Sequence, residues 1–195
     1  MSGENASLRQ RVGLVAEIGL SVALSVVLGM LKVWQMPQGG DISLAMLPLI
    51  ILALRRGVGP GLVAGALYGV LDASLNPFIV HWAQYILDYP LAYALVGLSG
   101  VVARSLRAQT ADPTRIVRLI ITGAAIGATA RYVAHTLSGV IFFAEYAGPG
   151  QPVLLYSAGY NSFVLLSAVA CAAAATAIIP VLSRVVPVAE EATPS

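Results

Sequence analysis

Charge is what this sequence has least of. Eleven Lys and Arg and nine Asp and Glu stand in 195 residues, 10% of the chain, where a soluble domain carries about a quarter. Hydrophobic residues make up 58% and the mean hydropathy is +0.84. So few charges cannot cover a water-facing surface without leaving very large apolar patches, so the solvent is a bilayer. The net charge of +2 is small and its basic residues are scattered, which excludes a nucleic-acid surface. Cys171 is the single cysteine, so there is no internal disulfide and no cysteine-based metal site; set among alanines, it reads as a small core residue. Two histidines and one cysteine argue against any metal centre, and nothing calls for a cofactor. No Gly-x-x-x-x-Gly-Lys-Ser/Thr occurs, so the chain does not hydrolyse ATP in the P-loop manner; His-Glu-x-x-His and Gly-x-Ser-x-Gly are also missing. An enzyme is the minority reading.

What is present is a series of apolar runs separated by glycine and proline. At roughly 20 residues per crossing, the chain reads as one all-α integral membrane domain, residues 1–195, with six transmembrane helices at about 12–34, 42–54, 59–75, 83–103, 116–146 and 154–182 and short tails. The first run lacks a small-residue cleavage site followed by a polar region, so it reads as a helix and not a signal peptide. With six spans, Arg9, Arg11, Arg55, Arg56, Arg104, Arg107, Arg115, Arg118 and Arg184 fall on one side, nine of the eleven Lys and Arg. By the positive-inside rule both termini are cytoplasmic, and the chain belongs in the cell membrane.

Ionisable groups inside spans cost a few kcal/mol at least and need a reason. Here they are Glu17, Asp72, Asp88, Arg131 and His135. The orientation puts Asp88, Tyr89, His135, Tyr156, Tyr160 and Asn161 in the outer halves of three different spans, the layout of a cavity open to the outside. Arg131, His135, Gly139 and Phe143 follow at four-residue steps, one stripe of a helix. A carboxylate beside aromatic faces suits a small, flat, heteroaromatic cation, with cation–π attraction of about 0.5–2 kcal/mol per face. The plainer readings stand beside this one. Asp88 could pair with Arg131 or His135 as structural glue, His135 could be a packing histidine, and Trp34, Trp82, Tyr156 and Tyr160 could form an interfacial belt. Pro37 to Gly40 reads as an outer lid or as a turn. Asp72 is expected well away from Asp88 and His135, which disfavours an intramembrane enzyme built on the three. Gly19-x-x-x-Ala23 in the first helix is a small-residue pair that lets another helix approach, with internal packing as the alternative.

The segment from Ser43 to Gly57 (SLAMLPLIILALRRG), then Asp88-Tyr89-Pro90, then Arg131-Tyr132-x-x-His135-x-x-x-Gly139-Val140-Ile141-Phe142-Phe143, then Tyr156 followed by Asn161, together resemble the thiamine-binding S-components of energy-coupling factor (ECF) transporters. The likeness runs from about residue 13 to 182. It implies a six-helix, non-enzymatic subunit that captures thiamine from outside and works with a membrane coupling protein and two ATP-binding subunits. It implies ligand contacts at Asp88, Tyr89, His135, Gly139, Phe143, Tyr156, Asn161 and Tyr68, and raises Gly19 and Ala23 to a docking stripe for the coupling protein. Gly19 stands where the family's docking stripe usually begins with Ala, and three positions near the ligand also depart from the family pattern. Asp88 replaces the usual Glu, Phe143 stands where a stacking Trp is common, and the place of a further lid Trp falls near Gly39. These departures leave a related ligand, such as a thiamine pyrimidine precursor or another vitamin, as the alternative. The remaining expected partner is membrane lipid.

Overall fold

In this computed structural model, residues 2–108 and 112–185 are described, with side chains from 5–108 and 112–179. The tail beyond residue 185 and the side chain of Arg184 lie outside the described residues.

Helix α1 (Ser2–Met30) leads into a hairpin of β1 (Trp34–Gln35) and β2 (Asp41–Ile42), paired antiparallel with Trp34 opposite Ile42. Helices α2 (Met46–Arg56) and α3 (Val58–Leu75) follow, hinged at Gly57 with φ of 95°. The path Trp82–Arg107, here α4, is helical throughout but not uniform. An α-turn gives way to a π-helical segment at Leu87–Leu91 and, after Ala92–Val96, to a 3-10 segment at Gly97–Val102. Helix α5 (Pro113–Phe142) starts on an Asp112 cap, whose carboxylate accepts from Thr114 N at 2.9 Å, with Pro113 in the first turn where its missing N–H is harmless. Helices α6 (Val153–Tyr160) and α7 (Phe163–Val185) close the chain.

Among the described residues, five stretches are long and apolar enough to cross a membrane: 5–30, α3, α4, α5 and the combined run of α6 and α7. The sixth expected span is different in kind. At 11 residues, α2 rises about 16 Å, roughly half the hydrocarbon thickness. It is instead the core of the bundle, with Leu49, Ile50, Ala53 and Leu54 all fully buried. A helix enclosed by other helices is apolar all round for packing reasons, and hydropathy alone cannot separate that from a crossing.

Helix ends differ from the sequence reading in an instructive way. The first helix was expected at 12–34 and occupies Ser2–Met30; its first turns are polar, and hydropathy marks membrane thickness, not helix length. The fifth, expected at 116–146, starts at Pro113 and ends at Phe142, with a separate 3-10 turn at Ala144–Tyr146. The run expected as one helix at 154–182 is broken after Tyr160. There the Asn161 side chain donates to Ser157 O at 2.9 Å, competing with regular helix continuation.

Two packing devices position the site. Gly61, Gly65 and Gly69 form a four-residue-step stripe on α3, set against the α4 backbone: a Cβ on Gly65 would lie 2.1 Å from Tyr93 O, and one on Gly69 2.3 Å from Tyr89 O. Small residues at this spacing let helix backbones touch in lipid, and here they fix the part of α4 that carries Asp88 and Tyr89. At the opposite end, Glu17 of α1 binds Arg56 of α2 through one guanidinium edge, with Nε donating to Oε2 at 2.8 Å and Nη2 to Oε1. Glu17 therefore ties two helices together, where the sequence left it without a distinct task.

Candidate functional site

A cavity of about 230 Å³ opens between α3, α4, α5 and α6 beneath the β-hairpin. Its centre is Asp88, which lies in the π-helical segment with Tyr89 and Pro90. Such one-turn widenings are frequent at functional sites, and Pro90 lacks the N–H that a regular turn would use. Both carboxylate oxygens are held. Oδ2 accepts from Gln84 Nε2 at 2.7 Å and from Ser138 Oγ at 2.8 Å, and Oδ1 lies 3.0 Å from His135 Nδ1. A carboxylate offers about four lone-pair sites, so a fourth position remains for a ligand N–H.

The rest of the cavity is built around this group. Arg131, one turn below His135, donates from Nε to His135 Nε2 at 3.3 Å and lies 4.0 Å over the Tyr93 ring. The Tyr89 hydroxyl accepts from Phe78 N at 2.8 Å and donates to Asn76 O at 3.2 Å, holding the α3–α4 loop. Gln84, 1% exposed, joins the same loop by donating to Phe78 O at 3.1 Å. Phe78 and Phe143 face each other at 6.0 Å, and Phe163 meets the His135 ring edge-on at 5.8 Å. Asn161 spends both amide hydrogens on carbonyls, His135 O at 3.2 Å and Ser157 O at 2.9 Å, which turns its Oδ1 into an open acceptor.

The hairpin turn roofs the cavity with Met36 to Gly40. Gly39 and Gly40 take φ of 82° and 87°, a left-handed conformation that favours glycine. A Cβ on Gly40 would lie 2.5 Å from the Phe163 ring, so the roof sits directly on the wall.

Seven of the eight residues proposed from sequence line this one cavity: Asp88, Tyr89, His135, Gly139, Phe143, Tyr156 and Asn161. Tyr68 does not. It is buried one layer behind, with its ring edge-on to Tyr93 at 4.5 Å, because the α3 glycine stripe draws α4 across its face. Gly139 has a further task beside leaving room for a ligand, since a Cβ there would lie 2.9 Å from Ser157 Cβ and push α6 away. Trp34 and Trp82 are 63% and 71% exposed, outside the lining, as an interfacial belt requires. Asp72 is a correction: it was expected far from Asp88 and His135 and lines the same cavity. The π-helical segment and the short loop after α3 bring the α3 and α4 carboxylates to one chamber, which helix-by-helix depth did not reveal. Gln84 and Ser138 were not anticipated. Both are buried polar side chains within spans, one turn from Asp88 and His135, so the rule that flagged the ionisable groups reaches them once extended to neutral polar residues. Gly19 and Ala23 lie on the exposed face of α1, and nothing among the described residues approaches the Cβ position of Gly19 within 4 Å. Among the described residues, no group of three His, Cys, Asp or Glu is placed to hold a metal ion.

The family described as "Thiamine transporter protein (Thia_YuaJ)" matches residues 15–187, nearly the whole chain. The chain belongs to this family. Its curated relatives agree: the thiamine transporter ThiT of Bacillus subtilis is 36% identical over 174 residues, 84% of this chain and 90% of that protein. ThiT of Lacticaseibacillus paracasei is 32% identical over 123 residues, 60% of this chain and 61% of that one. The solved structure of ThiT from Listeria monocytogenes superposes with a TM-score of 0.77 at 28% identity, covering 91% of this chain and 96% of that one. Family membership makes the chain a membrane transport protein, not an enzyme, although Asp72, Asp88 and His135 share a chamber.

Proposed function

We propose that this chain captures thiamine from the outside of the cell membrane as the substrate-binding (S) subunit of an ECF-type importer. The observation that carries the reading is the Asp88 carboxylate, held by three protein donors inside an aromatic-walled cavity with one acceptor position free. Charge supports it. The lining holds Lys32 and Arg131 against Asp41, Asp72 and Asp88, one negative charge in excess with the imidazole neutral, which matches a singly charged cation such as a thiazolium. Asp88, Tyr89, His135, Gly139, Phe143, Tyr156 and Asn161 form the ligand site, with Tyr68 supporting it through Tyr93. The vitamin follows from the relatives, which are thiamine transporters.

The six-span topology with both termini cytoplasmic stays part of this reading. The hairpin and α2 in series make the crossing that α2 is too short to make alone, and the basic residues then gather on one face. The chain is read as one membrane domain. The S-subunit role also calls for a membrane coupling protein, met through Gly19 and Ala23 on α1, and for two ATP-binding subunits, since this chain has no nucleotide motif. One second reading has an observation behind it. Asp88 in place of Glu and Phe143 in place of Trp shrink charge reach and stacking area, which favours a smaller ligand such as the pyrimidine precursor of thiamine.

Calorimetric titration of the purified protein with thiamine, its aminopyrimidine half and riboflavin separates these readings. Saturable thiamine binding that Asp88→Ala abolishes is the expected result; tighter binding of the pyrimidine half would move the assignment to the precursor, and binding of none would end it.

A further inference from the structure

His135 is the one cavity histidine, and both of its ring nitrogens are engaged: Nδ1 lies 3.0 Å from Asp88 Oδ1, and Nε2 receives the Nε–H of Arg131 at 3.3 Å. An arginine is always charged and its Nε can only donate. The nitrogen it meets must therefore present a lone pair. That leaves the imidazole one proton, on Nδ1, donated to Asp88. Arg131 is itself fixed, 6% exposed with its guanidinium over the Tyr93 ring at 4.0 Å, so it cannot swing away to release Nε2.

From this geometry we infer that Arg131 is a positioning residue that locks His135 in its neutral, Nδ1-protonated form and so keeps the negative charge of Asp88 uncancelled for a cationic ligand. The inference rests on the reading of the cavity as a cation site and extends it to a residue that carries the wrong charge for touching a cation. Without the guanidinium, nothing at Nε2 would oppose a second proton. The imidazolium would then pair with Asp88, and the carboxylate would have no charge left for the ligand. A cation beside the site thus serves cation binding by occupying the position where a proton would otherwise go. Asp88 of α4, Asp72 of α3 and Arg131 of its own helix act on His135, and the other ionisable groups that share its cavity are Tyr89 and Tyr93 from α4, Tyr156 and Tyr160 from α6, Asp41 from the hairpin and Lys32 just before it. The carboxylates among them favour imidazolium; burial, which disfavours any added charge, opposes it throughout the cavity, and Arg131 opposes it at Nε2 itself.

The chain carries its own reference. In His81 the nitrogen roles are reversed, since Nδ1 accepts from Ala83 N at 3.1 Å, so its neutral form carries the proton on Nε2. Histidine ¹⁵N NMR on the full-length wild-type protein in detergent is expected to give opposite tautomers for the two residues, assigned with a His81→Gln variant. The His135 pattern should persist from about pH 8 down to about pH 5, across the range where an ordinary imidazole titrates. In Arg131→Met, the His135 signals should convert to imidazolium within that range. The readout is the pH dependence of thiamine affinity, measured by calorimetry on the same samples: in Arg131→Met it should fall about tenfold or more between the alkaline and the acid end, over a range where wild type holds steady. Arg131→Lys, which restores a cationic donor, should recover most of the acid-side loss. A wild-type His135 that is doubly protonated or protonated on Nε2 overturns the inference, and so does an Arg131→Met protein whose affinity loss is the same at both ends. The wild-type tautomer is readable even if Arg131→Met does not fold. Should wild type show the stated tautomer yet bind no thiamine, the substrate assignment fails and the tautomer lock stands.

Discussion

The hydroxyl of Tyr160 clasps the hairpin turn at Gln38, accepting its backbone N–H at 2.7 Å while donating to the next carbonyl, Gly39 O, at 3.1 Å. One phenol on α6 thus fastens the roof of the cavity to its wall. Tyr160→Phe removes both bonds and leaves the ring. Neutral hydrogen bonds contribute about 0.5–1.5 kcal/mol each, so the substitution should weaken thiamine binding by about tenfold. A loosened roof should raise the dissociation rate more than it changes the association rate, which stopped-flow fluorescence or a radioligand chase resolves. Equal effects on both rates would mean that the turn is not a lid.

Asp88→Asn keeps the shape of the side chain and removes its charge. A charge-assisted hydrogen bond is worth about 1.5–3 kcal/mol, so thiamine affinity should fall by about ten- to a hundredfold. An uncharged thiophene isostere of thiamine should lose much less. Comparing the two ligands by calorimetry isolates the charge term from general damage to the cavity, and a parallel loss would assign Asp88 a structural task only.

Gln84→Leu should act through Asp88 and the loop it anchors. Gln84 joins Asp88 to the α3–α4 loop through bonds to Asp88 Oδ2 and Phe78 O, and it accepts from Val80 N at 3.2 Å. Losing this buried amide removes all three bonds, at about 0.5–1.5 kcal/mol each, with Asp88 Oδ2 still held by Ser138. Thermal stability should fall in a fluorescence-detected size-exclusion assay, and thiamine should restore less of it than in wild type because the loop no longer follows the carboxylate.

Gly65→Ala tests the α3–α4 contact. The added methyl would meet Tyr93 O at 2.1 Å, and overpacking of this kind costs about 1–3 kcal/mol. Gly59→Ala on the same helix, with nothing within 4 Å of the new Cβ, should leave the melting temperature nearly unchanged. Similar losses in both would mean that the Tyr93 contact is not the cause, since replacing glycine by alanine in a helix otherwise stabilises by restricting the unfolded chain.

Much of the site was legible because lipid makes polar residues conspicuous. Asp88, His135 and Asn161 stand out in apolar runs, and the four-residue step from Arg131 through His135 and Gly139 to Phe143 puts them on one stripe whatever the tertiary structure. What stayed hidden depends on departures from regular geometry. Asp72 enters the cavity because α4 widens at Leu87–Leu91, which no periodicity announces. Tyr68 leaves it because Gly65 and Gly69 let α4 close over that face, a consequence of missing side chains. The short α2 reads as a crossing on its own because a buried helix and a crossing helix have the same composition. The break at Asn161 follows from a side chain bonding its own helix, and the hairpin from two glycines in a left-handed conformation that a reading by hydropathy treats as a plain turn.

The glycine stripe of α3 has a mechanical corollary. Helices that touch main chain to main chain have no side chains between them to slide or compress, so α3 and α4 form a single stiff plank, and the acid at its edge stands still during loading. If the turn is a lid, the two-residue strands and their turn are then the part that yields, a small door against an unmoving jamb.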